Sequence, residues 1–345
     1  VEQKKLEEIQ QSQMVAGNAD STITVLNEDS LRQVQMKEAF GIFSDFTTGE
    51  NEKINLKNDL VSLSFSSKGG ALTEATLNKY KTHDSLPLTL FDEKDNEYGF
   101  IFKTGGRIVN TTDLFFKPIA GKDGKSVTMR LDFGNGKFFD LVYTLPEDSY
   151  MVKMDIRQKG METILPGNTA SLDLFWNQNL RSQEKGRMFE ERNSALYYKF
   201  VGSDVDHLSE SKDEQETISL GLKWIGYKNQ FFSSALIPDG KFNGALIRSG
   251  MNNDPAYLKN FHTETTVDYN PADNNGPGFR FYLGPNLYPL LHSYDKGVDD
   301  DKALDLDKLV PLGFKFFRWI NTWIIIPIFT FLGKYIANYG IIILL

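Results

Sequence analysis

Residues 127–145 have the sequence VTMRLDFGNGKFFDLVYTL, in which two strand-like runs flank a Gly-Asn-Gly turn. Residues 127–133 alternate between apolar and polar side chains, and residues 138–145 are largely apolar, as expected of half-buried and buried strands. Asn-Gly between two such runs is a strong hairpin signal, because both residues tolerate a positive φ. The stretch therefore predicts a β-hairpin whose tight turn lies at residues 134–136.

The same pattern continues on both sides of this hairpin, from residue 54 to about residue 291. Short runs separated by turn residues occur at 60–65, 99–103, 150–157, 170–176, 218–225, 232–237, 244–247 and 279–283. No stretch of this region keeps the 3.6-residue period of a long helix. About fifteen strands exceed what one small sandwich needs, so we predict an all-β domain built from two large antiparallel sheets.

The segments on either side of this region differ from it in composition. Residues 1–53 begin with a charged, Gln-rich run, and residues 22–26 (TITVL) favour a strand. We therefore predict a linker with peripheral strands at 1–53, ahead of a sandwich at 54–294. Residues 295–311 are acidic, and LDLDKL at 304–309 suits a short helix. We interpret 295–311 as a solvated connecting helix or linker, because its aspartates lack the Gly and terminal Glu of a calcium-binding loop.

Charge is distributed unevenly along the chain. The formal net charge is −8, yet residues 311–345 contain three basic residues and no acidic one. An acidic body argues against nucleic-acid binding, which requires clustered Lys and Arg. A basic, apolar tail suits an anionic lipid surface instead. The chain contains no cysteine, which excludes disulfides and thiol nucleophiles.

The tail FKFFRWINTWIII at 314–326 predicts an amphipathic helix at a membrane surface. At 100° per residue, Lys315 and Arg318 share one polar arc, and the rest of the circumference is Phe, Trp and Ile. Trp319 and Trp323 suit the headgroup depth, and Lys334 lies in the next apolar stretch. We assign these five residues to the membrane interface, within a segment at 312–339. The alternative is a buried core helix of a soluble domain.

Pro311, Gly313 and Pro327 are predicted to act as hinges or kinks in this tail. Residues 340–345 (GIIILL) have the composition of a membrane-spanning helix but not its length. Together with the start at Val1, this ending predicts that the chain is a fragment of a larger protein.

The search for chemistry gives no catalytic, cofactor-binding or metal-binding residue. The four histidines have no metal-ligand spacing, since the sequence contains no His-x-x-x-His and no Glu-x-x-His pair. We therefore interpret His83, His207, His262 and His292 as structural or solvated, predict no cofactor and expect no enzymatic activity.

Several segments, in this order, resemble the YidC membrane-protein insertases of the YidC/Oxa/Alb family. They are LKNDLVSLSFSSKGG at 56–70, LNKYKT at 77–82, WIGYKNQFFSSALIP at 224–238, FYLGP at 281–285 and the run from 309 to 345. The resemblance covers residues 22–345. It implies a β-super-sandwich of galactose-mutarotase-like topology, with residues 1–311 in the periplasm of a bacterium and the tail at the inner membrane. The insertase groove of the family would lie beyond residue 345.

This resemblance implies an accessory periplasmic domain and membrane-interface region of an insertase. Its expected partners are inner-membrane lipids, nascent membrane proteins and components of the Sec translocon, with a chaperone role in protein transport. Two alternatives stay open. One is a membrane-tethered carbohydrate-binding or mutarotase-like domain, and the other is a purely structural spacer.

Overall fold

Nineteen β-strands are present among residues 21–312, 320–336 and 338–344, which the computed structural model describes. They are β1 Lys53–Lys57, β2 Val61–Ser66, β3 Ala71–Lys81, β4 Pro87–Phe91, β5 Asn96–Thr104, β6 Arg107–Asn110, β7 Lys117–Ala120, β8 Ser126–Gly134, β9 Lys137–Thr144, β10 Met151–Lys159, β11 Ser171–Arg181, β12 Ala195–Phe200, β13 Val205–His207, β14 Glu214–Ile218, β15 Leu222–Lys228, β16 Phe232–Pro238, β17 Ala245–Met251, β18 Tyr257–Asp268 and β19 Asn275–Pro285.

These strands form two large antiparallel sheets and one small sheet. The nine-stranded sheet has the order β13-β12-β15-β16-β19-β10-β9-β8-β7, and the six-stranded sheet has the order β14-β17-β18-β11-β5-β6. The all-β class and the two large sheets predicted from the sequence are confirmed. The strands β1 to β4 form a separate third sheet, which the sequence pattern did not distinguish.

The core lies between the two large sheets, where aromatic rings from both sides meet. Trp176 of β11 stacks on Tyr227 of β15 with ring centroids 3.8 Å apart. Farther along, Phe100 of β5 lies 5.7 Å from Phe279 of β19. Such pairs add about 0.5–1.5 kcal/mol each beyond their buried area, so the two sheets are held face to face as a sandwich.

The hairpin predicted at residues 134–136 joins β8 and β9. Asn135 and Gly136 have φ values of 54° and 75°, the left-handed region that an Asn-Gly turn provides. The prediction is confirmed.

Apart from α1, which has 20 residues and precedes the sandwich, the helices are short and lie around the sandwich or after it. They are α1 Ser21–Phe40, a 3₁₀ helix at Gly41–Phe46, short 3₁₀ turns at Thr111–Asp113 and Met161–Thr163, α2 Arg187–Arg192, α3 Tyr288–Ser293, a 3₁₀ helix at Leu306–Leu309, a π-helical turn at Asn321–Ile325, α4 Ile326–Leu332 and α5 Tyr339–Leu344.

The peripheral strand predicted at residues 22–26 is wrong. Residues 22–26 belong to α1, because the residues that follow (LRQVQMKEA at 31–39) are mostly strong helix formers and outweigh a few β-branched residues. The 3₁₀ helix that follows is also not a linker. Phe43 is fully buried, stacks on Phe102 at 5.2 Å and meets Phe133 edge-on.

The solvated connecting helix or linker predicted at 295–311 is exposed over residues 296–302, but its solvated character is wrong for the leucines of 304–309. Leu304, Leu306 and Leu309 are buried in the core of the sandwich, and the helix predicted at 304–309 is a shorter 3₁₀ helix. The leucines alternate with aspartates, so one side of this segment can pack while the other makes polar contacts. We call residues 295–310 the connecting segment.

The loops of the sandwich lie at two ends, and the segments before and after the sandwich contact only one of these ends in the contacts described below. What we call the exit end consists of the turn at 105–106 and the loops at 201–204 and 219–221. The opposite end consists of the turn at 82–86, α2 and the turn at 229–231. At the exit end, the Nε of Arg107 donates to the carbonyl of Glu38 at 2.6 Å, and Lys308 lies 3.2 Å from Asp204. Both the N-terminal helix and the connecting segment therefore meet the sandwich at the exit end.

Candidate functional site

The connecting segment is fixed to the nine-stranded sheet by directed hydrogen bonds. The indole N–H of Trp224 donates to the carbonyl of Leu304 at 2.6 Å, and the ammonium of Lys223 donates to the carbonyl of Asp301 at 2.8 Å. The Trp224 ring is fully buried, and the bond lies in the protein interior. A buried carbonyl without a partner would cost about 1–3 kcal/mol, and the bond therefore helps to hold the segment in place.

An ion pair between a nearly buried lysine and a partly exposed aspartate adds to this attachment. Lys199 of β12, whose side chain is 5% exposed, lies 2.5 Å from Asp305 and also donates to the carbonyl of Ser203. Burial opposes ionisation of Asp305, but the ammonium groups of Lys199 and Lys308 outweigh it. The pKa of Asp305 therefore lies below its ordinary value. The pair links the connecting segment to the strand that ends at the exit end.

Three carboxylates of this region come together. Oxygens of Asp295, Asp305 and Asp307 lie within 4.8 Å of one another. Asp295 accepts from the backbone N–H groups of Leu304 and Asp305 at 2.6 and 2.7 Å. Asp307 lies 3.1 Å from the ring of His292. Protein donors and cations thus offset the repulsion among these carboxylates, and the cluster shapes the bend of the segment.

The predicted membrane-interface residues fall partly within the described structure. Lys315, Arg318, Trp319 and the predicted hinge Gly313 lie outside the described residues. Trp323 and Lys334 are exposed, and Trp323 shows 71% of its surface. Pro311 is exposed immediately after the connecting segment.

The helix from residue 320 to 332 exposes an unusual amount of apolar surface. Its π-helical turn is followed directly by α4, with Pro327 at one of the first two positions of α4. A kink at Pro327 stays a prediction. Large apolar side chains that are between 42% and 76% exposed here are Trp323, Ile324, Ile325, Ile328, Phe331 and Tyr335. We call residues 320–335, which comprise this helix and the turn that follows it, the apolar helix. None of the described helices has both the length and the apolar character needed to cross a membrane.

A second candidate site is a polar cleft of about 620 Å³, of the size of many ligand pockets. It lies between the small sheet and the outward face of the six-stranded sheet. Strand register places Glu97 opposite Asn177, Asn177 opposite His262, and His262 opposite Arg248. These side chains form a polar row across four neighbouring strands.

The ring of His262 is held in place within this row by contacts at both of its nitrogens. Its Nδ1 lies 2.5 Å from Asn177 Oδ1, and its Nε2 lies 2.8 Å from Glu264 Oε1. The interpretation of His262 as structural or solvated did not anticipate this carboxylate partner. The missed signal is the spacing of His262 and Glu264, since residues two apart in a strand share a face. His83 is exposed, and the Nδ1 of His207 contacts the carbonyl of Leu208.

Comparisons with known proteins identify relatives over most of the chain. A family model described as the YidC periplasmic domain matches residues 53–329. The membrane protein insertase YidC of Parabacteroides distasonis is 46% identical over 318 residues, which are 92% of this chain and 50% of that protein. The membrane protein insertase YidC of Porphyromonas gingivalis is 39% identical over 320 residues, 92% of this chain and 51% of that protein. The chain spans about half the length of these curated relatives.

The similarity to solved structures is lower. YidC from Thermotoga maritima has a TM-score of 0.39 at 12% identity and covers 84% of this chain and 64% of its own. A galactose mutarotase related enzyme from Lactobacillus acidophilus has a TM-score of 0.43 at 8% identity and covers 67% of this chain and 97% of its own. The strand order and registers given above establish the fold independently of these likenesses.

Proposed function

The chain belongs to the YidC family of membrane protein insertases, and we propose that it is the accessory periplasmic domain of an inner-membrane insertase together with its connection to the membrane. The sandwich lies in the periplasm, and the apolar helix lies in the outer surface of the inner membrane. From there the domain assists the insertion and folding of nascent membrane proteins, alone or with the Sec translocon.

The observation that carries this proposal is the attachment of the connecting segment. A flexible linker would let the sandwich drift relative to the membrane. Here three buried leucines, the Trp224 hydrogen bond and the Lys199–Asp305 pair fix the segment to the sheet. The amide of Asn321 then donates to the carbonyl of Leu312 at 3.2 Å, so the apolar helix begins close to where the segment ends. A fixed segment followed by an exposed apolar helix suits a domain held at a set position above a bilayer.

Binding to lipid vesicles tests the membrane part of the proposal. We expect the whole chain to float with vesicles of phosphatidylethanolamine and phosphatidylglycerol. The double variant Trp323→Ser/Phe331→Ser should lose most of the bound fraction, because it removes two large apolar side chains from the exposed face. The matched control is Met188→Ser/Phe189→Ser, which alters two similarly exposed apolar side chains at the opposite end. Equal flotation of both double variants would remove the membrane-interface role.

Insertion by the full-length protein tests the accessory part and separates it from a spacer role. Asp305→Asn, which loosens the connecting segment, should slow the insertion of client proteins in cells depleted of the native insertase. The control Asp300→Asn changes an exposed aspartate of the same segment and should leave insertion unchanged. If Asp305→Asn inserts clients at the native rate, the fixed position of the sandwich has no functional role.

The polar cleft favours a second candidate function, carbohydrate binding. The strands that form its floor, β5, β11 and β18, are each paired on both sides, so a peptide cannot add to them as a further strand. The amide of Asn177 and the carboxylate of Glu97 can instead donate to and accept from hydroxyl groups. Calorimetric titration with mono- and oligosaccharides tests this function, with His262→Ala as the disabled variant and His83→Ala as the control. An absence of heat at millimolar sugar with the unaltered chain would exclude it.

A further inference from the structure

The loops of the exit end carry exposed aliphatic side chains beside both points where the chain meets the sandwich. Val201 and Leu220 show 49% and 66% of their surfaces, and Ile42 and Ile108 show 52% and 70%. Isolated exposed apolar residues are common on protein surfaces. These four residues, however, form two pairs. One pair lies beside the connecting segment, and the other lies beside the N-terminal helix.

The first pair lies beside the connecting segment. The N–H of Val201 donates to the carbonyl of Gly221 at 3.0 Å, which brings the loop of Val201 against the loop of Leu220. The same loop holds Asp204, the partner of Lys308. The pair therefore lies at the place where the connecting segment ends and the path toward the apolar helix begins.

Positive charge accompanies this pair. Lys241 is exposed, and its side chain passes Gly221 so closely that a Cβ on that glycine would lie 3.1 Å from Lys241 Cδ. An aliphatic tip beside a lysine suits the interface between acyl chains and anionic headgroups.

The second pair lies beside the N-terminal helix. A Cβ on Gly41 would lie 3.6 Å from Arg107 Cδ, so Ile42 and Ile108 follow two residues that touch. Arg107 also binds the last turn of α1 through the carbonyl of Glu38. A basic side chain again lies beside two exposed aliphatic ones.

We infer that the exit end of the sandwich faces the bilayer and touches it, with Val201, Leu220, Ile42 and Ile108 at the headgroup level. The inference rests on the proposed function and makes it more specific, since it states which end of the domain is oriented to the membrane. The occupant of this surface is an anionic bilayer. A partner protein is the competing occupant and is an outcome of the test below.

The opposite end is the natural comparison, because it also exposes apolar side chains. Met188, Phe189 and Phe231 are 68%, 64% and 46% exposed there. No connection toward the apolar helix leaves from this end within residues 21–312, since the connecting segment crosses the sheet from α3 to Asp204. On our inference this end points away from the bilayer.

Single-cysteine labelling of the whole chain tests the orientation directly, because the sequence contains no cysteine of its own. An environment-sensitive fluorophore is attached in turn at Leu220→Cys, Ile108→Cys, Met188→Cys and Trp323→Cys. Vesicles of phosphatidylethanolamine and phosphatidylglycerol are then added, with and without nitroxide on the headgroups. We expect a blue shift and nitroxide quenching at positions 220, 108 and 323, and neither at 188.

The four positions separate the possible failures. A response at 323 without one at 220 and 108 overturns the inference and leaves the proposed function intact. Silence at all four positions contradicts both. A response at 188 in place of 220 and 108 reverses the orientation and also overturns the inference. Labels at 220 and 108 that respond only when other periplasmic proteins are added, and not to vesicles, would assign this end to a protein partner instead.

A binding measurement without labels completes the test. Val201→Ser/Leu220→Ser should lower the bound fraction in flotation by about threefold, a smaller loss than that of Trp323→Ser/Phe331→Ser, because less apolar area leaves the lipid. Met188→Ser/Phe189→Ser is again the matched control. A loss caused by the control pair and not by the exit-end pair would refute the inference.

Discussion

The connecting segment and the apolar helix are neighbours in the chain, and their burial is the reverse of what their compositions suggest. The connecting segment carries Asp295, Asp305 and Asp307, yet it packs into the sandwich. The apolar helix is mostly Ile, Phe and Trp, yet most of its large side chains are exposed. Average polarity therefore does not decide which segment docks onto the domain.

The difference follows from the partners that each segment has. The aspartates of the connecting segment meet Lys199, Lys308 and backbone N–H groups, and this frees the leucines between them to enter the core. A paired charge can be buried at a tolerable cost, whereas an unpaired one cannot. The apolar helix has an exposed apolar face large enough to mark a contact surface. The connecting segment is thus suited to a protein environment, and the apolar helix is suited to the lipid environment that we propose for it.

Removing apolar area from the connecting segment should have the largest effect on this contrast. Leu306 is fully buried, so Leu306→Ala should lower the free energy of unfolding by about 3 kcal/mol through lost burial and a residual cavity. Phe331→Ala in the apolar helix, at 59% exposure, should change it by less than about 0.5 kcal/mol. Urea unfolding followed by circular dichroism measures both. Equal losses would mean that the two segments are packed alike.

Removing one charge of the Lys199–Asp305 pair should have the next largest effect. Asp305 has a φ of 51°, a conformation that Asn also tolerates, so Asp305→Asn removes the charge with little change of backbone. The variant leaves Lys199 buried without its carboxylate and should lose about 2 kcal/mol. The double variant Lys199→Met/Asp305→Asn should recover part of that loss in the same assay. A double variant less stable than the single one would show that Lys199 stabilises through other contacts.

The same molecule shows which features local sequence patterns can predict and which depend on residues far apart in the chain. Local signals sufficed for the hairpin at 134–136 and for the two large sheets, because turn chemistry and strand period act within a few residues. The pairing of Lys199 with Asp305 joins residues 106 positions apart, and no local pattern indicates it. The row from Glu97 to His262 depends likewise on strand register across distant segments. Only the His262–Glu264 pair, two residues apart in a strand, was open to prediction.

The pH dependence of the free energy of unfolding tests whether the charge of Asp305 stabilises the fold. The pKa of Asp305 is lower in the folded chain than its ordinary value of 3.8, so the folded state binds fewer protons than the unfolded state in this range. The stability from ionised Asp305 is therefore fully present above the ordinary value and is lost as the pH falls through the lowered one. The unaltered chain should exceed Asp305→Asn by a constant amount between pH 5 and 8. That difference should shrink on acidification below the ordinary pKa of 3.8. A difference independent of pH would show that the carboxylate acts by shape and not by charge.

The smallest expected change in the free energy of unfolding comes from replacing a tryptophan by phenylalanine. We compare this substitution at Trp224, which binds the connecting segment, and at Trp323 of the apolar helix. Trp224→Phe removes the indole N–H that binds the Leu304 carbonyl and leaves a small cavity in a fully buried site, so we expect a loss of about 1.5 kcal/mol. Trp323→Phe occurs on a side chain that is 71% exposed and should change the free energy of unfolding by less than about 0.5 kcal/mol. The assay is urea unfolding without lipid, because bound vesicles would add their own stabilisation. A loss at Trp323 comparable to that at Trp224 would mean that the apolar helix packs on protein in solution, and its exposed face would then need no bilayer to cover it.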